Sequence, residues 1–121
     1  MQATDFWGEL GTTEVKTPLS IMREQAAALG RRTKNLVEAR VETRTVGRSF
    51  VHSFELVVPS LDDYTYQLFE IRHELDLYPI DVKGTDVVLT TEEAFTAWLR
   101  DRLSSAETRR IVTNLLAQAQ S

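Results

Sequence analysis

Apolar positions along the chain change period twice, from helical to alternating and back. Leu19, Met22, Ala26 and Leu29 recur at spacings of three and four, with Ile21 and Ala28 beside them. That is one stripe of an amphipathic helix. Thr17 suits the N-cap, and Pro18 suits the first helical position, where its missing N–H costs nothing. Gly30 reads as a left-handed stop, so the pattern predicts a helix over about 18–30. Residues 1–16 lack such a period and read as an N-terminal arm, either docked onto the domain through Phe6, Trp7 and Leu10, which is the expected case, or frayed.

Past the helix the period becomes two. Val37, Ala39, Val41 and Thr43 alternate with Glu38, Arg40, Glu42 and Arg44, which describes a strand with one buried and one charged face. A turn at 46–49 leads to a second strand with Phe50, His52, Phe54, Leu56 and Val58 on one face. A turn at 59–63 leads to a third, from Tyr64 to about Leu75. Pairing Thr43 with His52 sets Val41 opposite Phe54 and Arg40 opposite Glu55. Pairing Phe54 with Phe69 sets His52 opposite Ile71 and Phe50 opposite His73. Tyr64, Tyr66 and Leu68 are also apolar and favour a slip by one residue. A bulge in the third strand reconciles the two registers.

Tyr78, Ile80 and Val82 predict a fourth strand after Pro79, and Val87–Leu89 a short fifth. Thr90 with Glu93 and Ser104 with Glu107 read as capping boxes that open two helices. The first buries Phe95, Trp98, Leu99 and Leu103. The second buries Ile111, Val112, Leu115, Leu116 and Ala119. The join between them is short enough for a hairpin or a bent pair. The expected fold is therefore α+β: an N-terminal helix, an antiparallel meander of four to five strands and two C-terminal helices. Turns this short hold no crossover helix, which excludes a parallel nucleotide-binding sheet.

Composition narrows the function classes more than it selects among them. The chain has 121 residues, 42% apolar and 26% charged, which fits a single domain over 1–121. It has no cysteine, which excludes disulfides and thiolate chemistry. A net charge of −4 weighs against nucleic acid as a partner. No apolar run of membrane length and no secretory pattern at 1–10 are present, so no membrane contact and a cytoplasmic location are expected. The five glycines form no phosphate-binding motif, no Gly-x-Ser-x-Gly elbow occurs, and no cofactor is expected.

Two groups of residues stand out. His52 and His73 are the histidines of the chain and fall as diagonal neighbours on the core face. Without inward carboxylates they lack the ligands of a metal site, so hydrogen-bonded core residues and no metal are expected. The carboxylates Asp62, Asp63, Glu70, Glu74, Asp76, Asp81 and Asp86 read as turn or solvent positions. Arg31, Arg32 and Lys34 read as cations at a helix C-terminus, and Arg100, Arg102, Arg109 and Arg110 as part of a mixed surface. The second group is apolar: Val51, Val57, Tyr64, Tyr66 and Leu68 are expected on the sheet face away from the first helix. Such a face is covered by the chain itself, for instance through Phe6 and Trp7, or by a partner. The function expected is a non-catalytic protein-binding or adaptor domain acting through that face, possible as a homodimer. The alternative is a small enzyme or ligand-binding domain with a pocket near His52 and His73.

Overall fold

The computed structural model describes residues 5–11 and 15–121. The chain runs α1 (Pro18–Arg32), β1 (Glu38–Val46), β2 (Ser49–Val58), a one-turn 3-10 helix (Pro59–Leu61), β3 (Tyr64–His73), β4 (Ile80–Val82), β5 (Val88–Leu89), α2 (Glu92–Leu103) and α3 (Ala106–Ala119). The strands form one antiparallel sheet in chain order. The fold is the α+β arrangement that the pattern of apolar residues predicts. Of the expected arm, residues 1–4 and 12–14 lie outside the described residues.

Thr17 caps α1 as expected, its Oγ1 accepting from the Ser20 amide at 3.0 Å. The helix then continues past Gly30 to Arg32. The left-handed residues are Lys34 and Asn35, with φ of 54° and 63°. Asparagine tolerates that region because its short side chain bonds locally. Gly30 is needed for a different reason: Asn35 folds back onto it, its amide donating to the Gly30 carbonyl at 2.8 Å. A Cβ at Gly30 would meet Asn35 Oδ1 at 3.1 Å. Thr33 ties the end of the helix to the sheet, its Oγ1 lying 2.7 Å from the Val37 carbonyl and accepting from the Val37 amide.

The β1–β2 register is the expected one, with Thr43 opposite His52, Val41 opposite Phe54 and Arg40 opposite Glu55. Between β2 and β3, Phe54 faces Phe69, His52 faces Ile71 and Phe50 faces His73. Below that point Glu55 pairs with Gln67, so Leu68 is the extra residue of a bulge. An extra residue exchanges the two faces for everything before it on the strand. Tyr66 therefore pairs with Leu56, and Tyr64 with Val58, rather than Tyr66 with Val57. Both tyrosines lie on the helix side, which corrects the expectation that they point away from it.

The bulge is held from outside the sheet. Arg102 of α2 donates from Nη2 to the Leu68 carbonyl at 3.0 Å and from Nη1 to Thr108 Oγ1 at 2.6 Å. Thr108 donates in turn to the Arg102 carbonyl at 2.7 Å. One guanidinium thus satisfies the carbonyl that the bulge leaves unpaired and locks the α2–α3 turn. The caps of these helices sit one residue later than the capping boxes suggest: Thr91 accepts from the Ala94 amide and Ser105 from the Thr108 amide. Ser104 is already spent in closing α2, its amide and its hydroxyl both donating to the Arg100 carbonyl.

All the helices share one core with the inner face of the sheet. Its spine is aromatic. Phe54 stacks on Phe69 with centroids 5.3 Å apart, Phe69 meets Trp98 edge-on at 4.9 Å, and Trp98 lies 6.3 Å from Phe95. Offset and edge-on contacts of this kind add to the area they bury.

Candidate functional site

The two histidines meet directly. His52 Nε2 lies 2.9 Å from His73 Nε2, His52 Nδ1 lies 2.8 Å from Thr43 Oγ1, and His73 Nδ1 lies 2.6 Å from the Glu74 carbonyl. A carbonyl only accepts, so His73 carries its proton on Nδ1. Its Nε2 then accepts from His52 Nε2–H, and His52 Nδ1 accepts from the Thr43 hydroxyl. Each proton in this neutral chain has one place. Both rings are buried, and Phe50 stacks against His73 at 5.5 Å. Burial, followed by the charges of His73 and Arg23, pushes His52 down to about 4. His73 also borders a cleft of about 110 Å³ beside Arg72, Asp76 and Tyr78, but His52 does not. Among the described residues, no group of three or more His, Cys, Asp or Glu could hold a metal ion. Chemically, the arrangement is a closed hydrogen-bond chain at the end of the core.

The sheet face opposite the helices is charged. Arg40 pairs with Glu55 at 3.2 Å and with Glu42 at 3.0 Å. Arg44 donates to Glu70 at 2.7 Å, Ser53 donates to the same carboxylate oxygen, and Lys83 lies 3.6 Å away. The hydrogen bonds from Arg44 and Ser53 hold Glu70 below the usual carboxylate range. Val51 sits between Arg44 and Arg72 in register and is buried to 1% exposure. Val57 is buried as well, and Leu68 belongs to the core. Of the apolar residues expected on the outer side, Val51 and Val57 keep it. Tyr66 packs half-buried against the core, and Tyr64 is exposed on the helix side. The outer face is not an apolar patch, because the bulge sends the tyrosines elsewhere. Phe6 and Trp7 do not cover it either. They stand in solvent at 95% and 76% exposure, so the docked arm is not what the structure shows.

An opening with apolar lining lies in the helix layer. α1 packs along β1, while α2 packs on β5 and is pinned to Leu68 of β3. The helices leave a gap over β2. Its deeper part, about 150 Å³, has Phe54, Leu56 and Leu68 for a floor. Its outer part, about 620 Å³, runs between Ile21 and Gln25 of α1 and Leu99 and Leu103 of α2. Arg32, Arg100 and Arg109 stand at the mouth, and no carboxylate lines either part. Arg109 is oriented by the Ser104 carbonyl, to which its Nη2 donates at 3.2 Å. The result is an apolar trough with a cationic rim on a protein of net charge −4.

Sequence reasoning missed this site. Arg32 is explained by the end of α1 and Arg100 and Arg109 by a mixed surface, and each account is adequate alone. Only the packing of α1 beside the α2–α3 hairpin brings the three together. No family model matches the chain, and neither a curated protein nor a solved structure shows significant similarity to it. No helix among the described residues is long and apolar enough to cross a membrane.

Proposed function

We propose that this chain is a non-catalytic protein-binding module whose site is the trough between α1 and the α2–α3 hairpin. Its ligand is an acidic peptide segment carrying large apolar side chains. The observation that supports this reading is the pairing of an apolar floor, Phe54, Leu56 and Leu68, with the three arginines Arg32, Arg100 and Arg109 and no acid among the lining residues. An apolar trough supplies affinity by burying anchors, and guanidinium groups at its rim select carboxylates over amines. A phosphate backbone is a poorer match, because nucleic-acid grooves combine a longer basic track with stacking aromatics. Catalysis has less support: the histidines close on each other and on protein groups, leaving no ring nitrogen for a substrate.

The test is a fluorescein-labelled peptide of Trp, Leu and Phe interleaved with glutamates, read by anisotropy. Binding is expected, and the same peptide with lysines for glutamates should bind at least about tenfold more weakly. Arg100→Glu with Arg109→Glu should reverse that preference with only a small loss of melting temperature, since both side chains are exposed and Arg109 gives up one hydrogen bond, to the Ser104 carbonyl. Equal binding of the two peptides, or none, would remove the reading.

A further inference from the structure

The chain carries a segment with the chemistry that its own trough lacks a match for. Residues 5–10 read Asp-Phe-Trp-Gly-Glu-Leu. Phe6, Trp7 and Leu10 are exposed to 95%, 76% and 76%. Large apolar side chains held in water at that level, in a run of six residues, are an unfavourable arrangement unless something covers them. Asp5 and Glu9 flank them, and the trough offers Arg32, Arg100 and Arg109 around an apolar floor. Gly8 and Gly11 take left-handed backbone, with φ of 66° and 69°, so the segment turns and its aromatics are presented at a bend rather than along a strand.

We infer that the trough of one chain takes residues 5–10 of a second copy, so that the protein self-associates by reciprocal exchange of its N-terminal arms. This rests on the reading of the trough given above and adds the identity of an occupant. Within one chain the arm and the trough are apart, as the exposure of Phe6 and Trp7 shows. The geometry favours a two-fold pair. The arm enters α1 at Pro18, one turn before Ile21, which lines the trough, so the base of each arm lies at the mouth of its own trough. Each aromatic side chain buries about 150–250 Å². Two arms with two aromatics and a leucine apiece therefore bury roughly 1,000 Å², the lower bound for a specific interface and the size of a weak, concentration-dependent one. Exchange also pairs Asp5 and Glu9 of each arm with the arginine rim of the other copy, a contact that salt weakens.

The experiment is light scattering on the full chain across a concentration series, beside the double variant Phe6→Ser with Trp7→Ser. The wild type is expected to pass from monomer to dimer as concentration rises, with the transition moving to at least several-fold higher concentration in 1 M salt. The double variant is expected to stay monomeric and folded, because the side chains it removes stand largely in solvent in the single chain. Arg100→Glu with Arg109→Glu is expected to block dimerisation from the other side, because it removes the cations that Asp5 and Glu9 of each arm would meet. A wild type that is monomeric at every concentration, or a dimer that survives loss of Phe6 and Trp7, would overturn the inference. If the glutamate-bearing peptide binds while the chain stays monomeric, the arm exchange fails and the trough stands as a site for other proteins. If that peptide fails to bind and the dimer persists in the arginine variant, both readings fall.

Discussion

At the scale of single residues, the buried His52 contributes to the pH response. His52 is held near 4 in the folded chain against an ordinary value of 6.5. Between those values the unfolded chain takes up a proton that the folded chain refuses. The contribution of His52 to stability is therefore whole above about pH 6.5 and falls as the pH drops toward 4. Urea denaturation at pH 7 and pH 5 should show a lower midpoint at pH 5, and His52→Gln should reduce that difference. Equal differences in the two proteins would mean that His52 is as solvated when folded as when unfolded. Tyr78 gives a second prediction of this kind. Its hydroxyl is buried without a hydrogen-bond partner. Burial, with the nearby charges of Glu92 and Glu93, raises its pKa. Leaving a polar group unpaired costs about 1–3 kcal/mol, so Tyr78→Phe should be neutral or stabilising by about 1 kcal/mol. A loss of stability in a thermal melt would show that the hydroxyl has a partner after all.

At the scale of elements, the bulge at Leu68 and the clamp of Arg102 belong together. Strand β3 changes face at Leu68, and the carbonyl exposed by that change is the one Arg102 reaches at 3.0 Å. Arg102→Met keeps the aliphatic stem and removes the donors. It should cost about 1.5–3 kcal/mol, the range for hydrogen bonds to a charged group. Arg100→Met, one turn-face away and exposed at the rim of the trough, should cost less than about 0.5 kcal/mol. Urea melts of the two variants check the contrast, and equal losses would show that the bulge does not depend on the clamp. The bulge itself was legible in outline, because Phe69 and Ile71 demand one register while Tyr64 and Tyr66 demand the other. Which residue is extra was not legible. That choice depends on Arg102, which is 34 positions away in the chain.

At the scale of the whole molecule, the sheet and the C-terminal helices are joined through the line of rings from Phe54 through Phe69 and Trp98 to Phe95. Phe54 is 2% exposed and also forms part of the trough floor. Phe54→Ala should therefore cost about 3–5 kcal/mol, with a transfer part and a cavity part. It should also blue- or red-shift the emission of Trp98 through Phe69 in the folded protein. A loss below about 1 kcal/mol would place Phe54 outside the core.

Order and type of the elements follow from the sequence because they rest on local rules: apolar spacing, a Thr-Pro start, two-residue alternation and Gly or Asp turns act over a few residues. The β1–β2–β3 registers follow as well, since a slip would bury Glu38 and Arg40 and expose Phe54. Three things were decided by tertiary packing. Tyr64 and Tyr66 lie on the helix side, because the extra residue at Leu68 exchanges the faces of everything before it on β3. Gly30 became a point of close approach instead of a helix stop, because Asn35 folds back onto it. Arg32, Arg100 and Arg109 became one rim, because a gap between helices exists only once those helices are laid on the sheet. A periodic pattern records which side of each element is apolar. It carries no record of how far apart two elements lie when they share a core, and that distance is what makes the trough.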